Sequence, residues 1–133
     1  MKTRKGTDER SKLIRALDWI TPKIVKLRDG YTCQRCGRLL QSGMRHWAHI
    51  FGRRHLTLRW KKENAVTACH ECHRWLDSHA FDAKVWFQTK FPKRWKYLLA
   101  LYSQPVSPVR NEDLQVILDE NKIELKRLEA EFR

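Results

Sequence analysis

The cysteines carry the most specific chemistry in this chain. Cys33, Cys36, Cys69 and Cys72 are its only four, and they form two C-x2-C pairs. Two such knuckles can set four thiolates tetrahedrally around zinc, with bonds of about 2.3 Å, and no cysteine is left over. Disulfides would need an oxidising compartment, and the sequence provides no route to one. A structural Zn²⁺ site on these four residues is therefore expected. His70 lies inside the second knuckle, and with four thiolates available it reads as an exposed or supporting donor. Basic residues crowd the same stretch: Arg35, Arg38, Arg45, Arg53, Arg54, Arg59, Lys61, Lys62 and Arg74. Scattered cations usually do no more than solvate a surface, but clustering beside a metal site favours contacts to phosphate.

The whole chain shares that bias. Lys and Arg number 28 against 15 Asp and Glu, a net charge of +13 with a pI near 10. Cations displace counterions condensed on phosphates, so a polyanionic partner is expected and nucleic acid leads, with composition silent on DNA against RNA. A mean hydropathy of −0.70 and 32% charged residues suit a soluble protein. No apolar run reaches transmembrane length, and Met1-Lys2-Thr3-Arg4-Lys5 runs into further charge instead of a signal-peptide core. The expectation is a cytoplasmic protein that does not engage a membrane.

The run Arg28-Asp29-Gly30-Tyr31-Thr32-Cys33-Gln34-Arg35-Cys36-Gly37 is followed by His49-Ile50. Asn64 stands five residues before Cys69, and Cys69-His70-Glu71-Cys72-His73 closes the set. In order and spacing these elements resemble the HNH nuclease family, from about residue 27 to 79. The flanks look similar to small phage-encoded HNH proteins. The resemblance implies a ββα-metal fold, in which a hairpin and one helix clasp a catalytic divalent cation (Mg²⁺, Mn²⁺ or Ni²⁺) while the zinc thiolates hold hairpin and helix together. It assigns His49 as general base, Asn64 as the residue orienting that imidazole, and His73 as a ligand of the catalytic metal.

Phosphodiester hydrolysis needs an activated water in line with the leaving oxygen and positive charge against the transition state. A neutral imidazole, ordinarily near pKa 6.5, can take the proton. The chain departs from the family at Ala48, where many members carry an Asp or His ligand. Asp77, four residues after His73 and so on the same helix face, is the expected replacement, with His46, His55 and His79 as further candidates. The implied activity is metal-dependent DNA endonuclease, nicking or cutting both strands, with roles such as phage recombination, restriction or packaging. Arg53, Arg54, Arg59, Lys61, Lys62 and Arg74 are the expected DNA-binding residues, Arg53-Arg54 foremost. The competing class is a non-catalytic zinc-containing nucleic-acid-binding module, and a third is a protein-interaction adaptor.

An α+β fold must position these groups, within the single domain that 133 residues allow. Residues 1–28 read as a basic arm and an amphipathic helical segment, 29–80 as the zinc-stapled core, and 81–133 as a helical extension. The helix from about Asp8 to Arg28 should kink or divide near Thr21, because Pro22 removes a donor. Gly30 suits a left-handed turn into the first knuckle. Stretches at 45–51 and 57–60 read as the two strands of a hairpin around a 52–55 loop. Cys69 to His79 should open a helix. The aromatic run Phe81, Trp86, Phe87, Phe91, Trp95, Tyr97 and Tyr102 suits core more than base stacking, and Pro92 divides it. Asn111 should cap a last helix whose stripe Leu114, Ile117, Leu118, Asn121, Leu125, Leu128 and Phe132 packs on the domain or forms a homodimer.

Overall fold

The computed structural model describes residues 4–105 and 107–132. It is a mixed α and β chain. Helix α1 (Arg4–Arg28) leads to strand β1 (His46–His49), a short helix α2 (Leu56–Arg59) and a 3₁₀ turn at Lys62–Asn64. Strand β2 (Ala65–Ala68) follows, then α3 (His70–Ser78), α4 (Ala80–Lys90), α5 (Pro92–Tyr102) and α6 (Asn111–Glu131). The first three residues of the expected basic arm lie outside the described residues, and the helix begins within the rest of it.

Helix α1 runs unbroken through Pro22, against the expectation of two pieces. An interior proline costs about 3 kcal/mol. The offset is tertiary: Leu17, Ile20, Thr21, Ile24 and Val25, on either side of the proline, are almost fully buried. Helix α6 lies along the same stretch, its Asn121 donating to the Thr21 hydroxyl at 3.1 Å. The end of α1 follows the expectation. Gly30 takes φ +59°, the Tyr31 amide reaches back to the Lys26 carbonyl at 2.9 Å and the Gly30 amide to Leu27 at 3.0 Å, which closes a Schellman turn.

The hairpin exists with a different second strand. β1 pairs antiparallel with β2, Trp47 opposite Thr67 and Ala48 opposite Val66. The stretch read as a strand around 57–60 is instead mainly α2. The physical reason lies in burial. All four residues of β2 are buried, so the segment lacks the alternation that marks a strand, whereas Leu58 and Trp60 mimic it. Arg28 and Asp29 lock β2 to α1, Arg28 donating to the Ala65 carbonyl at 2.8 Å and Asp29 accepting from the Thr67 amide at 2.8 Å.

Two apolar clusters flank the sheet. One gathers Ala48, Val66, Ala68, Leu76, Phe87 and Leu98 from the sheet, α3, α4 and α5. The other joins α1 to α6 around Trp60, with Leu17, Ile24, Leu114, Leu118 and Leu128. The C-terminal stripe thus packs on the chain's own α1, although Phe132 is exposed. Of the aromatic run, Phe87 is buried and Trp86, Phe91 and Trp95 pack against the core, while Phe81, Tyr97 and Tyr102 are exposed. Pro92 opens α5, where its missing N–H costs nothing. The cap of α6 is Arg110, one residue before the expected Asn111; the Asp113 carboxylate accepts the Arg110 amide at 2.8 Å and Asn111 accepts from Arg10 at 3.3 Å. Among the described residues no helix is long and apolar enough to cross a membrane.

Candidate metal centres and nucleic-acid interface

The two knuckles converge. The Sγ atoms of Cys33, Cys36, Cys69 and Cys72 all lie within 4.8 Å of one another, a cluster that could hold a metal ion, consistent with structural zinc. Four thiolates at about 2.3 Å from a tetrahedral centre stand about 3.8 Å apart, and Cys36 and Cys69 are separated by 4.0 Å. Backbone amides support the sulfurs: Cys36 N–H points at Cys33 at 3.5 Å, and Cys72 N–H at Cys69 at 3.4 Å, where the Cys69 side chain caps α3. The bond from the Arg38 backbone, with further bonds from its side chain and two neighbouring sulfurs, pulls the Cys36 thiol down to about 6. Burial raises Cys72 to about 12, and Arg35, 3.5 Å from that sulfur and stacked on Trp75, opposes it. A divalent ion would draw the remaining protons off such a set. Among the described residues these cysteines are the only group of three or more Cys, His, Asp or Glu side chains so arranged.

His49 and His73 line one cleft of about 520 Å³ together with Trp47, Arg53, Asp77 and Lys84. His49 closes β1, and its Nε2 lies 3.0 Å from the Arg59 carbonyl. That acceptor fixes the proton on Nε2 and leaves Nδ1 with the lone pair. Burial, reinforced by Arg53 and Arg59, lowers its pKa to about 4, against the partial compensation of the carbonyl bond and Asp18. At neutral pH the ring is therefore uncharged. His73, in the second turn of α3, has both nitrogens engaged: Nδ1 lies 2.9 Å from His46 Nδ1, and Nε2 lies 3.5 Å from Asp77. His46 itself is lowered in pKa, by burial first and then by His73, His70 and Lys26.

Asn64 occupies a different place from the one expected. It is wholly buried and does not bond His49. Its amide instead accepts the Phe51 N–H at 2.8 Å and donates to the Phe51 and Leu58 carbonyls at 3.0 and 3.1 Å, clamping the loop that leads to Arg59. Ala48 is fully buried and faces the apolar cluster with Val66, so a carboxylate ligand there would be stranded in the core. No family model, curated protein or solved structure matches this chain.

The basic residues divide. Arg53, Arg54 and Arg74 are exposed, and Arg53 lines the cleft with its guanidinium 5.9 Å from the Trp47 ring centre. Arg59 and Lys62, expected at phosphate, are ion-paired within the chain. Arg59 pairs with Asp18 at 2.8 Å and Lys62 with Glu124 at 2.9 Å. Lys61 is half-buried and, with Arg54 and His55, lines an apolar cleft of about 750 Å³ against Tyr102, Pro105 and Pro108. His79 bonds within α3, to Ser78 at 2.9 Å. Sequence reasoning did not single out Lys26, or Tyr31 with its backbone at φ +55°, a conformation rare for a bulky residue that no local pattern announces.

Proposed function

We propose that the chain is a zinc-stapled, divalent-metal-dependent endonuclease of the HNH type acting on DNA. The observation that carries this reading is the single cleft shared by a neutral, backbone-tethered His49 and the His73–Asp77 pair, on a helix whose N-cap and first turn hold two of the clustered cysteines. The β1, β2, α3 order and the four-thiol cluster support it further. Zinc on those thiols would tie the loop before the hairpin to α3 and so fix the distance across the cleft. His73 Nε2 and Asp77 would hold the catalytic ion; their 3.5 Å separation is close to the roughly 3.0–3.4 Å expected of adjacent ligands with bonds near 2.1 Å. A divalent ion bound there supplies positive charge beside the leaving oxygen of a phosphodiester.

The remaining roles belong to the chain. His49 Nδ1 takes the proton of the attacking water, while the Arg59 carbonyl holds the ring in the required tautomer. His46 accepts the Nδ1 proton of His73 and so keeps Nε2 free to bind the ion. Arg53 and Lys84, at the cleft wall, offer charge to the flanking phosphates.

The test is nicking of supercoiled plasmid with Mg²⁺, Mn²⁺ or Ni²⁺ against a chelator control. His49→Ala should abolish cleavage while zinc content and DNA affinity stay near wild type; full activity in that variant would remove His49 from its role. A second reading, a non-catalytic zinc module that binds nucleic acid, draws on the buried Ala48 and on the absence of a second cluster of three ligands among the described residues. It predicts DNA binding with no nicking under any of these metals.

A further inference from the structure

A second basic cleft lies beyond the start of β1. It encloses about 460 Å³ between Lys23, Lys26, Leu27, Tyr31, Arg45, Leu125, Glu129 and Phe132. Its cations differ from those of the described residues that are ion-paired. Arg28, Arg59, Lys62 and Arg127 each pair with a carboxylate. Lys26 and Arg45 instead stand close enough to repel, and among the described residues neither has an acidic partner. Burial, together with Arg45, lowers the Lys26 pKa. Glu129, the one carboxylate lining the cleft, is exposed and forms no ion pair with them among the described residues.

Arg45 is held in place. Its guanidinium lies 3.8 Å from the Tyr31 ring centre and its Nε bonds the Leu40 carbonyl at 2.9 Å. The ring beneath it stands on a strained backbone, since Tyr31 adopts φ +55°, a left-handed conformation costly for a bulky residue. Two like charges fixed together without a counter-charge destabilise the fold unless an anion joins them. Strand β1 joins this cleft to the proposed active site, since Arg45, directly before the strand, lines the one and His49, its last residue, lines the other. Lys26 acts electrostatically on His46, which touches His73, and Arg45 precedes β1, four residues or roughly 13 Å of extended chain from His49.

We infer that Lys26 and Arg45, with Tyr31 beneath and Lys23 at the rim, form a subsite for the phosphodiester backbone of the nucleic-acid strand running along β1 toward His49. This rests on the nuclease reading for its direction, and the chemistry it recognises is a phosphate diester within about four nucleotides of the cut. The subsite carries no base selectivity, because the contacts assigned to it go to phosphate and phosphate contacts hold no sequence information.

The experiment measures affinity for a fluorescent 20-base-pair duplex across a salt series, with no divalent ion added, so cleavage plays no part. Lys26→Gln combined with Arg45→Gln should lower affinity about ten-fold near 0.1 M salt and flatten the slope of log K against log salt by about 1.8. A control, Lys93→Gln with Lys96→Gln, exposed on α5 and lining none of the three clefts, loses the same charge and should move neither strongly. Lys26→Gln alone guards against misfolding, since relieving the repulsion should hold or raise the melting temperature while the slope still falls by about 0.9. An unchanged slope in both cleft variants, or an equal fall in the control, overturns the subsite. Tighter capture of an acidic peptide than of duplex by the wild type would also overturn it. Wild-type binding without any nicking would instead defeat the nuclease reading and leave the subsite standing.

Discussion

Replacing Asn64 by Ala isolates how the fold holds the candidate base. The Asn64 amide makes three hydrogen bonds in a fully buried position, but their loss is not equal. The Leu58 carbonyl keeps the Lys61 amide at 3.1 Å, whereas the Phe51 N–H and carbonyl are left without a partner. A buried backbone group stripped of its bond costs about 1–3 kcal/mol. Two such groups put the loss near 3 kcal/mol if water reaches neither fully. With an unfolding entropy of about 2.1 cal/mol/K per residue, the 133 residues turn that into a fall in Tm of about 10 °C. Calorimetry on the zinc-saturated variant reads it directly. Asn64→Asp adds a sign. Its carboxylate would face two carbonyls, so its folded pKa rises above the unfolded value near 3.9. Stability relative to wild type is then best below that value and is lost as pH rises, so the variant should be further below wild type at pH 8 than at pH 5. A Tm shift under 2 °C for Asn64→Ala, or lost cleavage at unchanged Tm, would show that Asn64 does not act as a loop clamp.

His49 should titrate with a midpoint of about 4 when its ring protons are followed by NMR. Its folded pKa lies below the unfolded 6.5, so the stability it lends is present above pH 6.5 and fades as pH falls toward 4; a midpoint near 6.5 would refute its burial. For the same reason protonation of His49 should not slow cleavage between pH 8 and pH 6. Cys69→Ser, or exhaustive removal of metal, should lower Tm by more than 10 °C and reduce bound zinc well below one per chain, since such sites contribute on the order of 10 kcal/mol to folding. Loss of zinc with no change in Tm would make the thiol cluster something other than a staple.

The residues that sequence placed correctly are those whose geometry is set by near neighbours. Two C-x2-C pairs define their own turns, and Gly30 ends α1 because the turn needs φ +59° there. Pro92 and Pro22 show the limit. The same ring starts α5, as expected, yet sits inside α1 without dividing it, because burial on both sides of position 22 comes from α6, a hundred residues away. The second strand was hidden by burial on both faces. Charge pairing was equally out of reach: Arg59 meets Asp18 and Lys62 meets Glu124 across separations no local pattern reports. The partners of Asn64 were hidden for the same reason: its amide bonds Phe51, thirteen residues away, and the Leu58 carbonyl.

A continuous set of bonds explains why a small site has two long helices beside it. On α6, Asn121 donates to the Trp60 carbonyl at 3.2 Å, and the Trp60 indole donates to Asp18 of α1 at 2.8 Å. Asp18 also takes the Arg59 guanidinium at 2.8 Å. Arg59 and Trp60 are therefore pinned at both side chains, and the Arg59 carbonyl between them is the group that holds His49 Nε2. A carbonyl on a four-residue helix would otherwise drift, because so short an element has almost no stability of its own. The α1–α6 pair thus serves as the wall against which the imidazole is aligned. A metal on the four-thiol cluster would fasten α3 in turn, so that His49 and His73, which line the same cleft, sit on separately supported elements.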